Sequence, residues 1–138
     1  MIEFNYETDF LLENELAVKD WISKSIATEG FKVGDINYVF CGDDYLHKIN
    51  LEFLNHDTFT DIISFDYGIG KIIQGDIFIS VDRVRENAKE FKEDFEMELR
   101  RVMVHGVLHY CGYKDKTKED AKIMHAKENF YIARFAEN

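Results

Sequence analysis

The chain alternates short strand patterns with longer segments of helical spacing. Residues 2–6 alternate apolar and polar positions like an edge strand, and residues 13–28 have helical spacing that ends at Gly30. Residues 35–41 predict a second strand, followed by a helix that Asp43 or Asp44 could cap. The remaining pattern predicts two more strands and then three helices, over residues 60–67, 75–80, 80–92, 94–111 and 117–135.

This order of elements predicts an α+β fold in which one mixed sheet of about four strands packs with helices. A chain of 138 residues with 46% apolar residues can bury a core of its own, and no proline or polar linker divides it. We therefore expect a single domain over residues 1–138. No apolar run is long enough to span a bilayer, no secretory signal is visible, and only two cysteines occur, so we expect a cytoplasmic protein without membrane contact.

The net charge of −10 argues against a nucleic-acid partner, because polyanions are bound through basic side chains. The distribution of the charge weakens that objection. Residues 1–70 carry 4 basic and 14 acidic side chains, whereas residues 71–138 carry 13 of each. Some of the basic residues in the second half could line a cleft, although exposed helix faces balanced by glutamate are their more ordinary interpretation.

A candidate metal site lies in the second half of the chain. His105 and His109 are four residues apart, so on a helix they face the same side and can coordinate one cation. Gly112 is suited to end that helix in a left-handed conformation, after which Asp115 can turn back towards the same ion. Three protein ligands with an open position are typical of a catalytic metal. The pattern therefore predicts metal-assisted hydrolysis.

Other interpretations of these residues remain open. Histidines at this spacing can be core residues with satisfied hydrogen bonds, but the apolar run around them and the carboxylate past the turn favour metal binding. Cys111 points away from the ligand face and is read as a small apolar residue. Proteases of the H-E-x-x-H type have glutamate directly after the first histidine, where this chain has Gly106, so a metallopeptidase is disfavoured.

Several segments together resemble the YbeY family of metal-dependent endoribonucleases, which act as ribosomal RNA maturation factors. The family signature H-G-x-L-H-x-x-G-Y-D-H corresponds to residues 105–115, HGVLHYCGYKD. The segment ELRRVMV before it, GDIFIS at residues 75–80 and TDIISF at residues 60–65 also resemble family segments. The resemblance covers most of residues 43–124 in the same order.

The resemblance implies a small α+β domain with a zincin-like metal helix and single-stranded RNA as substrate, in particular ribosomal RNA. Ribosomal proteins are further candidate partners, and DNA is not expected. His105, His109 and Asp115 are the implied metal ligands, with zinc as the first expectation and another divalent metal as the alternative. Arg101 and Lys114 are candidates for offsetting charge on the phosphate. Ser64 is a candidate for binding the substrate backbone.

The chain departs from the family pattern at two positions. Asp115 stands where the family has its third histidine, and Lys114 where it has the preceding aspartate. An Asp oxygen makes the ligand set harder, so it suits several divalent metals. Leu54 aligns with a family arginine thought to act on phosphate or on the attacking water. Because leucine can do neither, another cation must substitute or activity must be reduced.

One alternative function therefore accompanies the endoribonuclease hypothesis. The protein could be a ribosome-assembly factor that binds RNA or protein and uses its metal mainly to hold the fold, which Leu54 and the acidic first half favour. Arg101 could equally form a structural ion pair with Glu98, and Ser64 could be an ordinary strand serine. His47, His56 and His125 are read as surface residues, with His125 as the only reserve ligand.

Overall fold

The computed structural model describes residues 1–56 and 58–135. Residues 57 and 136–138, which the expected single domain includes, lie outside the described residues. In chain order the elements are β1 (Ile2–Tyr6), α1 (Glu15–Thr28), β2 (Lys32–Cys41), α2 (Asp43–Leu54), β3 (Ile62–Asp66), β4 (Ile72–Ser80), α3 (Val81–Glu90), α4 (Phe95–Tyr110) and α5 (Lys118–Phe135). The element order and the four-stranded mixed sheet agree with the predicted α+β fold.

The strands are arranged in the order β1-β2-β4-β3. β1, β2 and β4 are parallel to one another, whereas β3 is antiparallel to β4. Parallel neighbours need long crossover connections, which α1 supplies between β1 and β2 and the α2–β3 segment supplies between β2 and β4. The antiparallel hairpin of β3 and β4 leaves β3 at the sheet edge, next to the histidine helix.

The two faces of the sheet bury different helices. The main core contains residues of α1, α3, α4 and α5 packed on the buried side chains of β2 and β4, such as Tyr38 and Ile77. A smaller core on the opposite face joins Leu46 of α2 to Cys41 and Ile63. This division follows from the alternation of side chains along a strand, since neighbouring residues point to opposite faces.

Glycine allows α4 to lie close against the sheet. A Cβ atom at Gly106 would lie 3.1 Å from the Cδ1 atom of Ile77 and 3.2 Å from that of Ile62, so the missing side chain lets the helix approach β3 and β4. The Tyr110 hydroxyl, at the end of α4, donates to the carbonyl oxygens of Phe65 at 2.9 Å and Asp76 at 3.1 Å. Gly106 therefore has a packing role that its comparison with the protease motif did not suggest.

One local prediction needs adjustment. Asp43 does not cap α2, because Gly42 occupies the cap position and Asp43 is the first helical residue. The Asp43 carboxylate instead accepts hydrogen bonds from the Ser80 hydroxyl at 2.6 Å and the Arg83 guanidinium at 3.0 Å. The helix predicted to start at Ser80 or Asp82 is capped by Ser80, whose hydroxyl accepts from the backbone N–H of Arg83. Among the described residues, no helix combines the length and apolarity needed to cross a bilayer.

Candidate metal centre and active site

The two histidines lie one turn apart on α4, with ring centroids 4.6 Å apart and the rings edge to face. His105 Nδ1 lies 2.5 Å from a carboxylate oxygen of Glu128. His109 Nδ1 lies 2.9 Å from the carbonyl oxygen of Tyr113. Because a neutral imidazole carries one N–H, these acceptors hold the proton on Nδ1 and leave the Nε2 lone pair available to a ligand.

The turn after α4 brings the third candidate ligand back to the histidines. Gly112 has φ of 104°, a conformation that side chains disfavour. Its N–H donates to the carbonyl of His109 at 3.0 Å, and the N–H of Tyr113 donates to that of Leu108 at 3.1 Å. This pair of bonds is the Schellman arrangement, which satisfies the last carbonyls of a helix and reverses the chain.

The three predicted ligands converge on one point. Asp115 Oδ2 lies 3.2 Å from His105 Nε2 and 3.4 Å from His109 Nε2. The ligand atoms of all three residues lie within 4.8 Å of one another. Atoms bound at about 2.0–2.1 Å in a tetrahedral site are separated by about 3.3 Å, so the spacing fits a single divalent ion. Metal binding by these residues stays a prediction.

Carboxylates surround His105 on both sides of its ring. Burial by itself would lower the pKa of His105, but the hydrogen bond and charge of Glu128, with the charges of Asp115 and Asp61, outweigh it and raise the pKa. Asp61 is itself affected by its surroundings. Burial raises the pKa of Asp61, and the charge of His105 opposes that rise. The centre is therefore negative, which favours a bound cation.

Arg101 lies one turn before His105 and is held by glutamates. Its guanidinium lies 3.2 Å from Glu128, 3.8 Å from Glu98 and 3.9 Å from Glu93, and its side chain is only 14% exposed. The predicted ion pair with Glu98 is thus present beside two others. These contacts neutralise the charge that Arg101 could offer to phosphate, and they fix Glu128 against His105.

Glu98 is buried and incompletely paired. Its Oε1 atom has no hydrogen-bond partner, because Arg101 Nε is 3.8 Å away. Burial, which outweighs the opposing charge of Arg101, raises the pKa of Glu98 to about 7, with Glu93, Asp61 and Glu128 adding to the rise. Glu98 therefore exchanges a proton near neutral pH.

A cleft of about 440 Å³ opens over the histidines. One wall is the face of α4 that carries Arg101, His105 and His109. The opposite wall is β3 with the residues before it, and α5 and the turn after α4 close the end. The other lining residues are Thr60, Asp61, Ile62, Ser64, Glu98, Val102, Asp115 and Glu128. The cleft thus combines residues from four separate parts of the chain.

The remaining predicted site residues take different positions. Ser64 lines the cleft from β3. Lys114 is exposed on the turn after α4, and Leu54 ends α2 with 42% of its surface exposed; neither lines the cleft. His125 has a side chain that is 65% exposed and does not join the group of converging ligands. Cys111 packs against the main core, as its apolar interpretation predicts.

The sequence interpretation missed the carboxylates behind the histidines. Glu128 is the most important of them, because its carboxylate orients His105 and its side chain is only 7% exposed. A signal for it exists in the sequence: Met124, Glu128 and Tyr131 follow helical spacing, and the two flanking residues are apolar core residues. A charged residue inside a buried helical stripe normally has a partner. Glu98 carries a similar signal between Phe95 and Val102, which pack in the main core, whereas Asp61 carries none.

Comparison with known proteins finds relatives that match nearly the whole chain. A protein named Endoribonuclease YbeY from Flavobacterium johnsoniae is 62% identical over 135 residues, covering 98% of this chain and 97% of that protein. One of the same name from Flavobacterium psychrophilum is 57% identical, covering 98% and 96%. The solution structure of TM1509 from Thermotoga maritima superposes with a TM-score of 0.71 at 27% identity, covering 98% of this chain and 89% of that chain.

The resemblance noted in the sequence extends over nearly the whole chain. The model of the family described as Endoribonuclease YbeY matches residues 3–136, which include both walls of the cleft and all three candidate ligands. The chain belongs to the Endoribonuclease YbeY family.

Proposed function

We propose that this protein is a metal-dependent endoribonuclease that cuts single-stranded RNA. The observation that carries the proposal is the convergence of His105, His109 and Asp115 at the end of an open cleft, in a chain whose relatives are named endoribonucleases. Three ligands on one side of an ion leave coordination positions for water and substrate. A divalent ion held there supplies Lewis acidity towards phosphate and water.

The chain's own residues prepare this centre. Glu128 and the carbonyl of Tyr113 fix the ring orientation and tautomer of the two histidines, and Arg101 holds Glu128 in place. Ser64 offers a hydroxyl on the opposite wall, where it can bind the sugar-phosphate backbone. Glu98 can hold or release a proton near neutral pH, because burial raises its pKa to about 7.

Ribosomal RNA is the proposed natural substrate, in its maturation and in ribosome quality control, and the cytoplasm is the proposed location. This part of the proposal follows from family membership. The open shape of the cleft suits a flexible single strand, whose bases and backbone are both accessible to a protein surface. Ribosomal proteins are proposed as further partners on the same ground.

Zinc is the proposed metal, with another divalent ion as the alternative. Two imidazoles and one carboxylate form a harder set than three imidazoles and suit several divalent ions.

Asp115→His should retain or strengthen zinc binding, whereas Asp115→Ala should weaken it. Asp115 does not cap α5, since the Thr117 hydroxyl accepts from the backbone N–H of Asp120, so changes in metal affinity can be separated from loss of a cap. Unchanged affinity in Asp115→Ala would remove Asp115 from the ligand set.

The proposal is tested by measuring metal content and RNA cleavage on the same preparations. Untagged protein should carry about one divalent ion per chain, and His105→Ala and His109→Ala should each lose it. Cleavage of a single-stranded RNA should require the metal and stop with a chelator. His109→Ala is the control for contaminating nucleases. Full metal occupancy in both histidine variants would refute the site, and cleavage by His109→Ala would show that the activity belongs elsewhere.

One observation favours a second function, that of an RNA- or protein-binding assembly factor with a mainly structural metal. Among the cleft-lining residues that the structure describes, Arg101 is the only lysine or arginine, and glutamates already surround it. Leu54 supplies no replacement. Absence of cleavage by metal-loaded protein, together with retained RNA binding, would favour this alternative.

A further inference from the structure

Phe59 is an exposed aromatic residue that directly precedes two residues of the cleft wall. These two residues are Thr60 and Asp61, and 53% of the surface of Phe59 is exposed. Burial of a ring of this size contributes about 1.5–3 kcal/mol, and a ligand that covers Phe59 would supply that burial. The position therefore calls for a ligand with an apolar, planar surface.

The backbone on both sides of Phe59 is fixed. On one side, the buried side chain of Asn50 donates to the carbonyl of Thr58 at 2.9 Å. On the other side, the carbonyl of Asp61 accepts from the N–H of Ser80 at 2.9 Å, and Asn87 contacts the Asp61 carboxylate at 3.4 Å. The exposed ring is thus presented on a supported segment, and little entropy is lost when a ligand binds to it.

The guanidinium of Arg83, paired with Asp43, lies beside this aromatic surface. Its guanidinium carbon lies 5.8 Å from the centre of the Phe59 ring, and Asp43 holds the guanidinium at 3.0 Å. Direct contact between planar groups needs about 3.5–4 Å, so a base between the two needs about 7 Å. A base enters this space only if the Arg83 side chain, which is 35% exposed and paired with Asp43, moves by about 1 Å. His47 stacks on the same ring with centroids 4.5 Å apart.

We propose that Phe59, with Arg83 beside it, is a stacking subsite for a nucleobase of the single strand next to the phosphate in the cleft. Aromatic rings combined with cations are the surface by which proteins bind unpaired bases, and stacking is tolerant of base identity. A base in a duplex is already stacked on its neighbours, so this subsite selects single strands. The inference rests on the proposed function, whose active site it extends by one nucleotide.

The test compares three substitutions by their affinity for RNA. Phe59→Leu keeps an apolar side chain but removes the flat ring, Phe59→Trp keeps a ring, and Phe130→Leu is the matched control. Phe130 is also exposed and also accompanied by cations, with Arg134 at 5.3 Å and Lys127 at 5.9 Å. It lies two residues from Glu128 on α5, which points it about 160° away from the cleft.

The probe is a labelled single-stranded oligouridylate with phosphorothioate linkages that resist cleavage, and a second strand that lacks bases at consecutive positions. Binding to metal-loaded protein is measured by fluorescence anisotropy. Phe59→Leu should weaken binding by about 5- to 150-fold, while Phe59→Trp and Phe130→Leu should bind like the wild type. The wild type should bind the baseless strand more weakly, and Phe59→Leu should hardly distinguish the two strands.

Two results would overturn the inference: equal binding by Phe59→Leu and Phe130→Leu, or a wild type that does not distinguish the two strands. The first result would favour a protein partner, instead of RNA, as the ligand of the Phe59 ring. Cleavage of ordinary RNA is measured separately, so the two proposals fail independently. Phe59-dependent binding without cleavage would refute the endoribonuclease proposal alone, and metal-dependent cleavage together with either of the two results above would refute the subsite alone.

Discussion

At the scale of single residues, the candidate centre depends on groups that orient its ligands. Glu128 contacts His105 Nδ1 at 2.5 Å and Arg101 at 3.2 Å. One buried carboxylate therefore connects a candidate metal ligand to the ion pairs of Arg101. Such outer contacts raise the basicity of the ligand and fix its ring. The expected function of Arg101 changes accordingly, since the structure gives it a part in holding Glu128.

We predict that Glu128→Gln lowers metal affinity by about 10- to 100-fold, because an uncharged amide orients the His105 ring less firmly. The measurement is a competition titration with a chelator of known affinity. Glu98→Gln is the matched control, since Glu98 also contacts Arg101 but has no recorded contact with His105. Equal affinities in Glu128→Gln and the wild type would show that Glu128 does not support the metal centre.

At the scale of elements, the site is determined by how α4 ends. Gly112 and Gly30 both end helices with positive φ, at 104° and 86°, and a Cβ atom at either position would meet no neighbour within 4 Å. Their backbone requirements are therefore alike. Only the turn at Gly112 leads to a candidate ligand, so the same substitution at the two positions separates stability from metal binding.

We predict that Gly112→Ala and Gly30→Ala each lower the free energy of unfolding by about 1–2 kcal/mol, the cost of a positive φ for an L-residue. Gly112→Ala should also weaken metal binding, because Asp115 shifts with the turn. Gly30→Ala should leave metal affinity unchanged. Thermal unfolding of metal-free protein and a metal titration measure the two effects. A loss of metal affinity in both variants would assign it to general destabilisation.

At the scale of the whole molecule, the fold buries acidic side chains beside the cleft. Burial favours their protonated, uncharged form. Because the pKa of Glu98 rises from 4.5 to about 7, the folded state binds a proton that the unfolded state has already released in that range. Stability from this group is present at low pH and is lost as pH rises from about 4.5 to 7. The loss amounts to at most about 3–4 kcal/mol, from the rise of the pKa from 4.5 to about 7 at about 1.4 kcal/mol for each pKa unit.

We predict that Glu98→Gln, which cannot ionise, removes this loss and unfolds at higher denaturant concentration than the wild type above pH 7. The two proteins should become more alike towards pH 4.5. Glu90→Gln, on the exposed surface of α3, should follow the wild type at every pH. Denaturant unfolding of metal-free protein across this range is the measurement, and parallel curves for Glu98→Gln and the wild type would contradict the assignment.

Neutralisation of phosphate charge in the cleft also depends on the whole molecule, because the candidate cations lie on different elements. Leu54 does not line the cleft, so a phosphate contact from this position needs a side chain as long as that of arginine. If no cation replaces the family arginine, cleavage should be weak, and Leu54→Arg should raise it by about 10²- to 10³-fold through such a contact. The exposed position of Leu54 tolerates the longer side chain. If Arg101 or Lys114 has taken over the function, the wild type should already be active and Arg101→Ala or Lys114→Ala should abolish cleavage. Initial rates of all four proteins on one RNA decide between these cases.

Local patterns in the sequence were enough to predict much of the fold and of the candidate site. The element order, the metal-helix spacing, the turn at Gly112 and the family resemblance were all predicted, because each depends on residues close together along the chain. The fold class and the family are confirmed. Boundaries differed by a few residues where the cap at Gly42 and the longer β2 depend on neighbouring elements.

Tertiary structure alone decided which distant residues meet. The pairing of β2 with β4, the contact of Glu128 with His105 and the paired state of Arg101 join segments far apart in sequence, and their formation depends on packing that no local pattern records. Burial, which is a property of the whole fold, raises the pKa values of Glu98 and Asp61. The sequence named the groups able to hold a metal, and the fold supplied the charges that surround them.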